Sequence, residues 1–263
     1  MDERIMLEVA DGIATLRLNR PEVHNALALA MWDALVDHLL ALEYRDDVRC
    51  VVIASTGRNF SAGADIGELG EHVGDGPAER SALFSARMER VNRVCTAMAR
   101  LPQPIVASVR GVAAGGGFGI ATAADLIVAS ETARFLVGTI ELGSMPDVGV
   151  PLQLVRAMGP RKSKQYCLLG EPLAAAEAER FGLVNWVVPD AELEAKTTEV
   201  ARRLVSMPQP AVGLSKFALD AAFTRSLAEH LLSEAADVGR CVAAPDYAER
   251  VNAFLARRTA KTG

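Results

Sequence analysis

The sequence predicts an α/β fold that ends in a helical region. Three observations predict it. Apolar runs of strand length recur through the N-terminal part, and each leads through a loop into a helix-like stretch. Between them, Ala78 to Leu101 reads as one long amphipathic helix, with Pro102 and Pro104 marking its end. From Ala191 onward no strand-like run remains, and the chain reads as helix broken at Pro208-Gln209-Pro210 and at Pro245.

The elements follow in order. Ile5 to Val9 and Ile13 to Asn19 flank the turn Asp11-Gly12, a hairpin signal. Asn25 to Leu42 has helical spacing, with Leu27, Met31, Leu35 and Leu39 on one face. Val48 to Ala54 is a third strand. Gly67 to Pro77 is rich in glycine and charge and reads as a mobile loop or lid. Pro104 to Val109 and Leu126 to Ala129 are buried strands with a short helix, Gly117 to Ala123, between them. Ala133 to Val137 is another short strand. Leu152 to Met158, Pro160 to Leu169 and Ala174 to Phe181 are short helices, and Val184 to Val188 is the last strand before Pro189.

Composition narrows the function. Half of the 263 residues are apolar, which suits a globular protein with a sizeable core. The net charge of −5 argues against nucleic-acid binding, which needs a basic surface. No apolar run approaches the length of a membrane span. Ile5 to Val9 is too short, and Asp2, Glu3 and Glu8 too acidic, for a signal peptide, so a cytoplasmic location is expected. The four cysteines lack CxxC spacing, and the four histidines lack metal-ligand spacing; neither disulfides nor a metal site is expected.

Two small-residue loops carry the chemistry. Ser61-Ala62-Gly63-Ala64-Asp65-Ile66 follows one strand, and Gly111-Val112-Ala113-Ala114-Gly115-Gly116-Gly117 follows another. Side chains this small let a ligand approach the backbone. Two N–H groups aimed at one oxygen make an oxyanion hole, and a helix start behind them adds positive charge. A dinucleotide site is not expected, because Ile120 stands where the last glycine of a GxGxxG motif would fall. Ser61 lies in no nucleophile elbow and has no His/Asp partners for a triad.

Four stretches in order resemble the enoyl-CoA hydratase/isomerase family, the crotonase superfamily. They are Leu18-Asn19-Arg20-Pro21-Glu22-Val23-His24-Asn25-Ala26-Leu27, Phe60 to Leu69, Val109 to Asp125, and Phe135 through Pro146-Asp147-Val148-Gly149 to Gly159. The resemblance implies a spiral of ββα units over residues 1–199 and a helical trimerisation region over 200–263. It also implies assembly as a homotrimer or a dimer of trimers. The substrate would be an acyl-CoA thioester whose coenzyme A is part of the substrate; no separate cofactor or metal is implied. The oxyanion donors would be the N–H groups of Ala64 and Gly116. A branched side chain at Gly116 is expected to block the site while the chain still folds.

Family hydratases use two glutamates, and the matching positions here are Gly119 and Thr139. Their loss argues against ordinary water addition, which is best served by two positioned carboxyls. Some family isomerases carry an acid/base aspartate at the place of Asp147. Asp147 therefore becomes the expected proton shuttle, with a helix N-cap as its alternative role. Glu141 is a second candidate; on an extended strand it would share a face with Thr139. Glu68 is expected at the solvated surface. By resemblance, Glu22, Val23 and His24 flank the nucleotide. Ala62, Asp65 and Ile66 lie along the pantetheine and adenine, while Phe254 and Lys261 reach it from the C-terminal helix. The expected activity is a double-bond or ring isomerisation of an acyl-CoA. Hydration in the broad sense is the alternative, and a non-catalytic acyl-CoA binding protein is the rival of a different class.

Overall fold

The structure, a computed structural model, describes residues 3–262, with side chains as far as Arg258. Nine strands are described: β1 (Ile5–Ala10), β2 (Ile13–Leu18), β3 (Cys50–Ser55), β4 (Ile105–Val109), β5 (Val112–Ala114), β6 (Leu126–Ser130), β7 (Arg134–Leu136), β8 (Leu173–Ala174) and β9 (Trp186–Val188). The larger sheet has the order β1-β2-β3-β4-β6-β9, and the smaller β5-β7-β8. β1 and β2 form the expected antiparallel hairpin, and every later pairing in the larger sheet is parallel. β3 and β4 are buried along nearly their whole length, so their sequences run apolar without alternation.

The helices are α1 (Leu29–Glu43), α2 (Ile66–Gly70), α3 (Pro77–Arg100), α4 (Gly116–Ala123), α5 (Val150–Leu169), α6 (Ala175–Arg180), α7 (Leu193–Val205), α8 (Gln209–Ala221), α9 (Leu227–Val242) and α10 (Tyr247–Thr262). The chain winds as a spiral. Each turn lays one strand in the larger sheet, one in the smaller, and then a helix: β4, β5, α4, and next β6, β7, α5. The turn before these follows the same course, with β3, a single bridge between Ser61 and Ala113, and then α2. α1 lays Met31, Trp32, Leu35, Leu39 and Leu42 into the core. Each such side chain contributes roughly 1.5–3 kcal/mol by leaving water.

Several boundaries differ from the sequence expectation. α1 starts at Leu29 rather than Asn25, because His24 and Asn25 both adopt positive φ (53° and 55°). β5 and β8 are too short to carry a periodic signal. Part of the expected mobile loop is α2, which Glu68 ties down. Its carboxylate accepts from the Leu29 N–H at the start of α1 (2.9 Å) and pairs with Arg87 (2.8 Å). Glu68 is thus a clip, not a solvated surface group. The two helices expected around Gly159-Pro160 are both present: α5 is two helical segments that meet at Gly159, whose backbone is not helical (φ 74°, ψ 168°).

Residue 200 falls within α7, which packs along the sheet with Leu193, Thr197, Val200 and Ala201 buried. α8 is pinned by Lys216, whose ammonium meets Asp125 (2.9 Å) and the Met98 carbonyl (3.0 Å). Beyond α8, the Ser226–Glu229 capping box restarts the helix as α9. Among the described residues no helix is long and apolar enough to cross a membrane.

Candidate active site

The site begins at the bridge between Ser61 and Ala113. Ser61 N–H donates to the Val112 carbonyl (3.0 Å), and Ala114 N–H donates to the Ser61 carbonyl (2.8 Å). These bonds set the two loops side by side in register. The Ser61 hydroxyl is fully buried. It donates to the Asn25 carbonyl (2.8 Å) and accepts from Gly63 N–H (3.1 Å), so it is framework rather than nucleophile.

Both loops then turn on glycine, Gly63 at φ 93° and Gly115 at φ 46°. A Cβ on Gly63 would lie 2.9 Å from the Ala114 carbonyl oxygen and 3.6 Å from Gly115 Cα. The backbones therefore touch, and only glycine permits it.

Three residues beyond the bridged pair, in corresponding places, stand Ala64 and Gly116. Neither N–H donates to any acceptor among the described residues. The Gly116 N–H opens α4, which adds its partial positive charge. Two unspent backbone donors on touching loops are what an oxyanion hole requires. One expectation is corrected. A Cβ on Gly116 would lie 2.7 Å from Trp32 Cζ2, so it points into the core and does not fill the ligand side.

Asp147 lies just before α5. It does not cap that helix: the N-cap is Gly149, and no side chain caps it. Asp147 offers only its backbone carbonyl, to Val150 N–H (3.0 Å). Its half-buried carboxyl has no ion-pair partner among the described residues. Burial pushes its pKa up, opposed only by its own N–H. The missed residue here is Val148. It sits at φ 49°, a backbone region that costs a β-branched residue about 1–3 kcal/mol. It packs over Gly119, where an added Cβ would meet Val148 Cβ at 2.4 Å and its carbonyl oxygen at 2.8 Å. The position matching the first hydratase glutamate is thus closed by packing as well as lacking a carboxyl.

Thr139 opens a 3-10 turn, Thr139–Leu142, not the extended segment expected. The face-sharing argument for Glu141 therefore fails. Glu141 is exposed, and its Oε1 lies 3.7 Å from where a Gly170 Cβ would stand. The Thr139 hydroxyl is buried without a partner among the described residues, and its Cγ2 lies 3.9 Å from the Cβ position of Gly115.

The two loop segments expected to hold the nucleotide, 22–24 and 62–66, do meet. Glu22 and Val23 lie in a 3-10 turn, Pro21–Val23. The His24 carbonyl accepts Ala62 N–H (2.9 Å), and the His24 ring contacts the Asn59 amide (3.0 Å). Asn25 locks this corner. It is buried, takes Arg20 N–H on its Oδ1 (2.8 Å), and donates to the Thr56 and Asn59 carbonyls (2.8 Å each). Asp65 is occupied. It accepts Gly67 N–H (3.0 Å) as the cap of α2 and pairs with Arg20 (2.9 Å), which holds its carboxyl below the usual range. Ile66 is exposed beside it. Phe254 lines an apolar groove of about 350 Å³ with Pro208, Pro210, Cys241 and Tyr247, and α10 packs on α9. The Lys261 side chain lies outside the described residues. No group of three or more metal-binding side chains occurs among the described residues.

The profile of the enoyl-CoA hydratase/isomerase family matches residues 8–262. The chain belongs to that family. Family relatives differ in the reactions they are named for. The 1,2-epoxyphenylacetyl-CoA isomerase of Escherichia coli K12 is 34% identical, with 98% of each chain covered. The 4-chlorobenzoyl coenzyme A dehalogenase-2 of Arthrobacter is 32% identical over 97% of this chain and 92% of its own. A solved enoyl-CoA hydratase subunit I from Geobacillus kaustophilus HTA426 superposes with a TM-score of 0.88 at 32% identity, covering 97% of this chain and 95% of its own. The family and its enzymatic nature follow, and so does the crotonase fold.

Proposed function

We propose that this enzyme isomerises an acyl-CoA by moving a proton through Asp147. The thioester oxygen sits between the Ala64 and Gly116 N–H groups, which stabilise the enolate as it forms. Asp147 takes a proton from one carbon and returns it to another, so a single carboxyl suffices. A raised pKa suits that task, because a group that both accepts and donates works best near the ambient pH. The observation that carries the reading is the exchange of carboxyls. The Gly119 position is filled by Val148, while Asp147 stands half-buried and unpaired.

The proposed proton shift needs neither metal nor redox cofactor, and coenzyme A enters with the substrate. Glu22, Val23, His24, Ala62 and Ile66 flank the nucleotide and pantetheine, with Asp65 holding the loop in place. Phe254 and Lys261 contribute from the C-terminal helix. Exposed apolar side chains on and between the last helices, among them Leu219, Phe223, Leu227 and Leu232, support assembly as a trimer or dimer of trimers, which light scattering tests.

The test is a panel of unsaturated acyl-CoA thioesters followed by mass and ultraviolet spectra. The expected products have unchanged mass and a shifted double bond. Products heavier by one water overturn the reading in favour of hydration, and an unaltered panel favours a binding protein.

A further inference from the structure

We propose that Val148 and Cys95 form the clamp that aims the Asp147 carboxyl, with Gly119 as the notch that seats it. The inference rests on Asp147 being the base proposed above. Val148 (φ 49°) and Gly149 (φ 76°) are two consecutive left-handed residues, and they turn the chain sharply between Asp147 and α5. A valine stays in that conformation only when its surroundings hold it there. Two contacts do so from two different helices. From α4, the bare Cα of Gly119 leaves the space that the Val148 side chain fills. From α3, the Cys95 thiol donates to the Val148 carbonyl oxygen at 3.5 Å.

Asp147 is the next residue along, so its backbone is set by this clamp. Its carboxyl has no ion pair or side-chain partner of its own among the described residues. A base with no partner is positioned by its backbone or not at all, and proton transfer tolerates little misplacement. The thiol is also the titratable group that faces Asp147. Burial, then the Asp147 charge, push Cys95 up to about 11, so it remains an S–H donor through the working range. α4 carries no titratable side chain. α5 has none before Arg156, which lies over the Phe223 ring. Cys95 and Val148 are therefore positioning residues.

The experiment compares Cys95→Ala, Cys95→Ser, Val148→Gly and Asp147→Asn in the full chain, using vinylacetyl-CoA and its conversion to crotonyl-CoA. Cys95→Ala is expected to lower kcat about ten- to a hundredfold, with KM held within roughly twofold. The acid limb of the pH profile should move to lower pH as the carboxyl gains water. Cys95→Ser restores the donor and should recover most of kcat. Val148→Gly should lower kcat at least as far as Cys95→Ala. If Cys95→Ala and Val148→Gly keep the parent's kcat and acid limb while Asp147→Asn is inactive, the clamp is overturned and the base assignment stands. A loss in Cys95→Ala that Cys95→Ser does not recover, or that matches its unfolded fraction, also overturns the clamp. If Asp147→Asn turns over like the parent, or the parent converts nothing, the base assignment itself fails.

Discussion

Gly119→Ala places a methyl group where Val148 already sits. The added carbon would lie 2.4 Å from Val148 Cβ, 2.5 Å from Cγ1 and 2.8 Å from the carbonyl oxygen. Ordinary carbon contacts are about 3.5–4.0 Å, so the shortfall is over an ångström. The side chain has few ways to move aside, because a β-branched residue is stiff at χ1, and the oxygen belongs to the backbone. Overpacking of this kind costs about 1–3 kcal/mol. Alanine in a helix returns about 1 kcal/mol relative to glycine. With a backbone atom in the clash, the upper end of the cost applies, and the net destabilisation is about 2 kcal/mol. In a chain this long that lowers the midpoint by roughly 4–8 °C. Thermal and urea unfolding of the parent and the variant measure it. A Gly119→Ala protein that melts at or above the parent refutes the packing argument. Gly119→Glu, which restores one hydratase carboxyl in name, should be less stable still and gain no hydration of crotonyl-CoA.

Three further outcomes are expected. Gly116→Val drives its side chain into Trp32, 2.7 Å from the first added carbon, so it should fold poorly, and any folded fraction should melt well below the parent. Lys216→Met removes a buried ammonium from Asp125, whose side chain keeps some contact with water, so the cost should fall below the roughly 3–5 kcal/mol of breaking a fully buried pair, read by urea unfolding; an unchanged midpoint contradicts the pinning role of α8. Asp147, with its folded pKa raised above the unfolded value, favours the folded state most at low pH. That contribution is lost as pH rises through the raised value. Asp147→Asn should flatten this dependence, and a steeper one refutes the sign.

The strand runs and the two loops were legible because parallel strands buried on both faces leave unbroken apolar runs, and because closely approaching backbones demand small residues. The choice of Ala64 and Gly116 as expected oxyanion donors came from the family resemblance, and both stand three residues past the Ser61–Ala113 bridge. What sequence could not show was direction. Gly116 reads as making room for a ligand, yet its missing side chain makes room for Trp32. Gly119 reads as a lost acid, yet it is the seat of Val148. Asp147 has the look of a cap, but the positive φ of Val148 carries the helix start past it, and no periodicity encodes a strained valine. Glu68, Arg20 and Asn25 act across the chain on partners distant in sequence, so their roles emerge only when α1, α2 and the first loop are folded together.

The most direct measurement is deuterium uptake at the carbon next to the thioester, in heavy water, with vinylacetyl-CoA and phenylacetyl-CoA as probes. It needs only the oxyanion hole and the base, and does not depend on which acyl group the enzyme naturally takes. The parent should exchange that proton. Asp147→Asn, with similar size and no basic oxygen, should exchange it roughly 10²–10⁴-fold more slowly while melting close to the parent. Equal exchange rates in the two folded proteins would contradict Asp147 as the group that moves the proton.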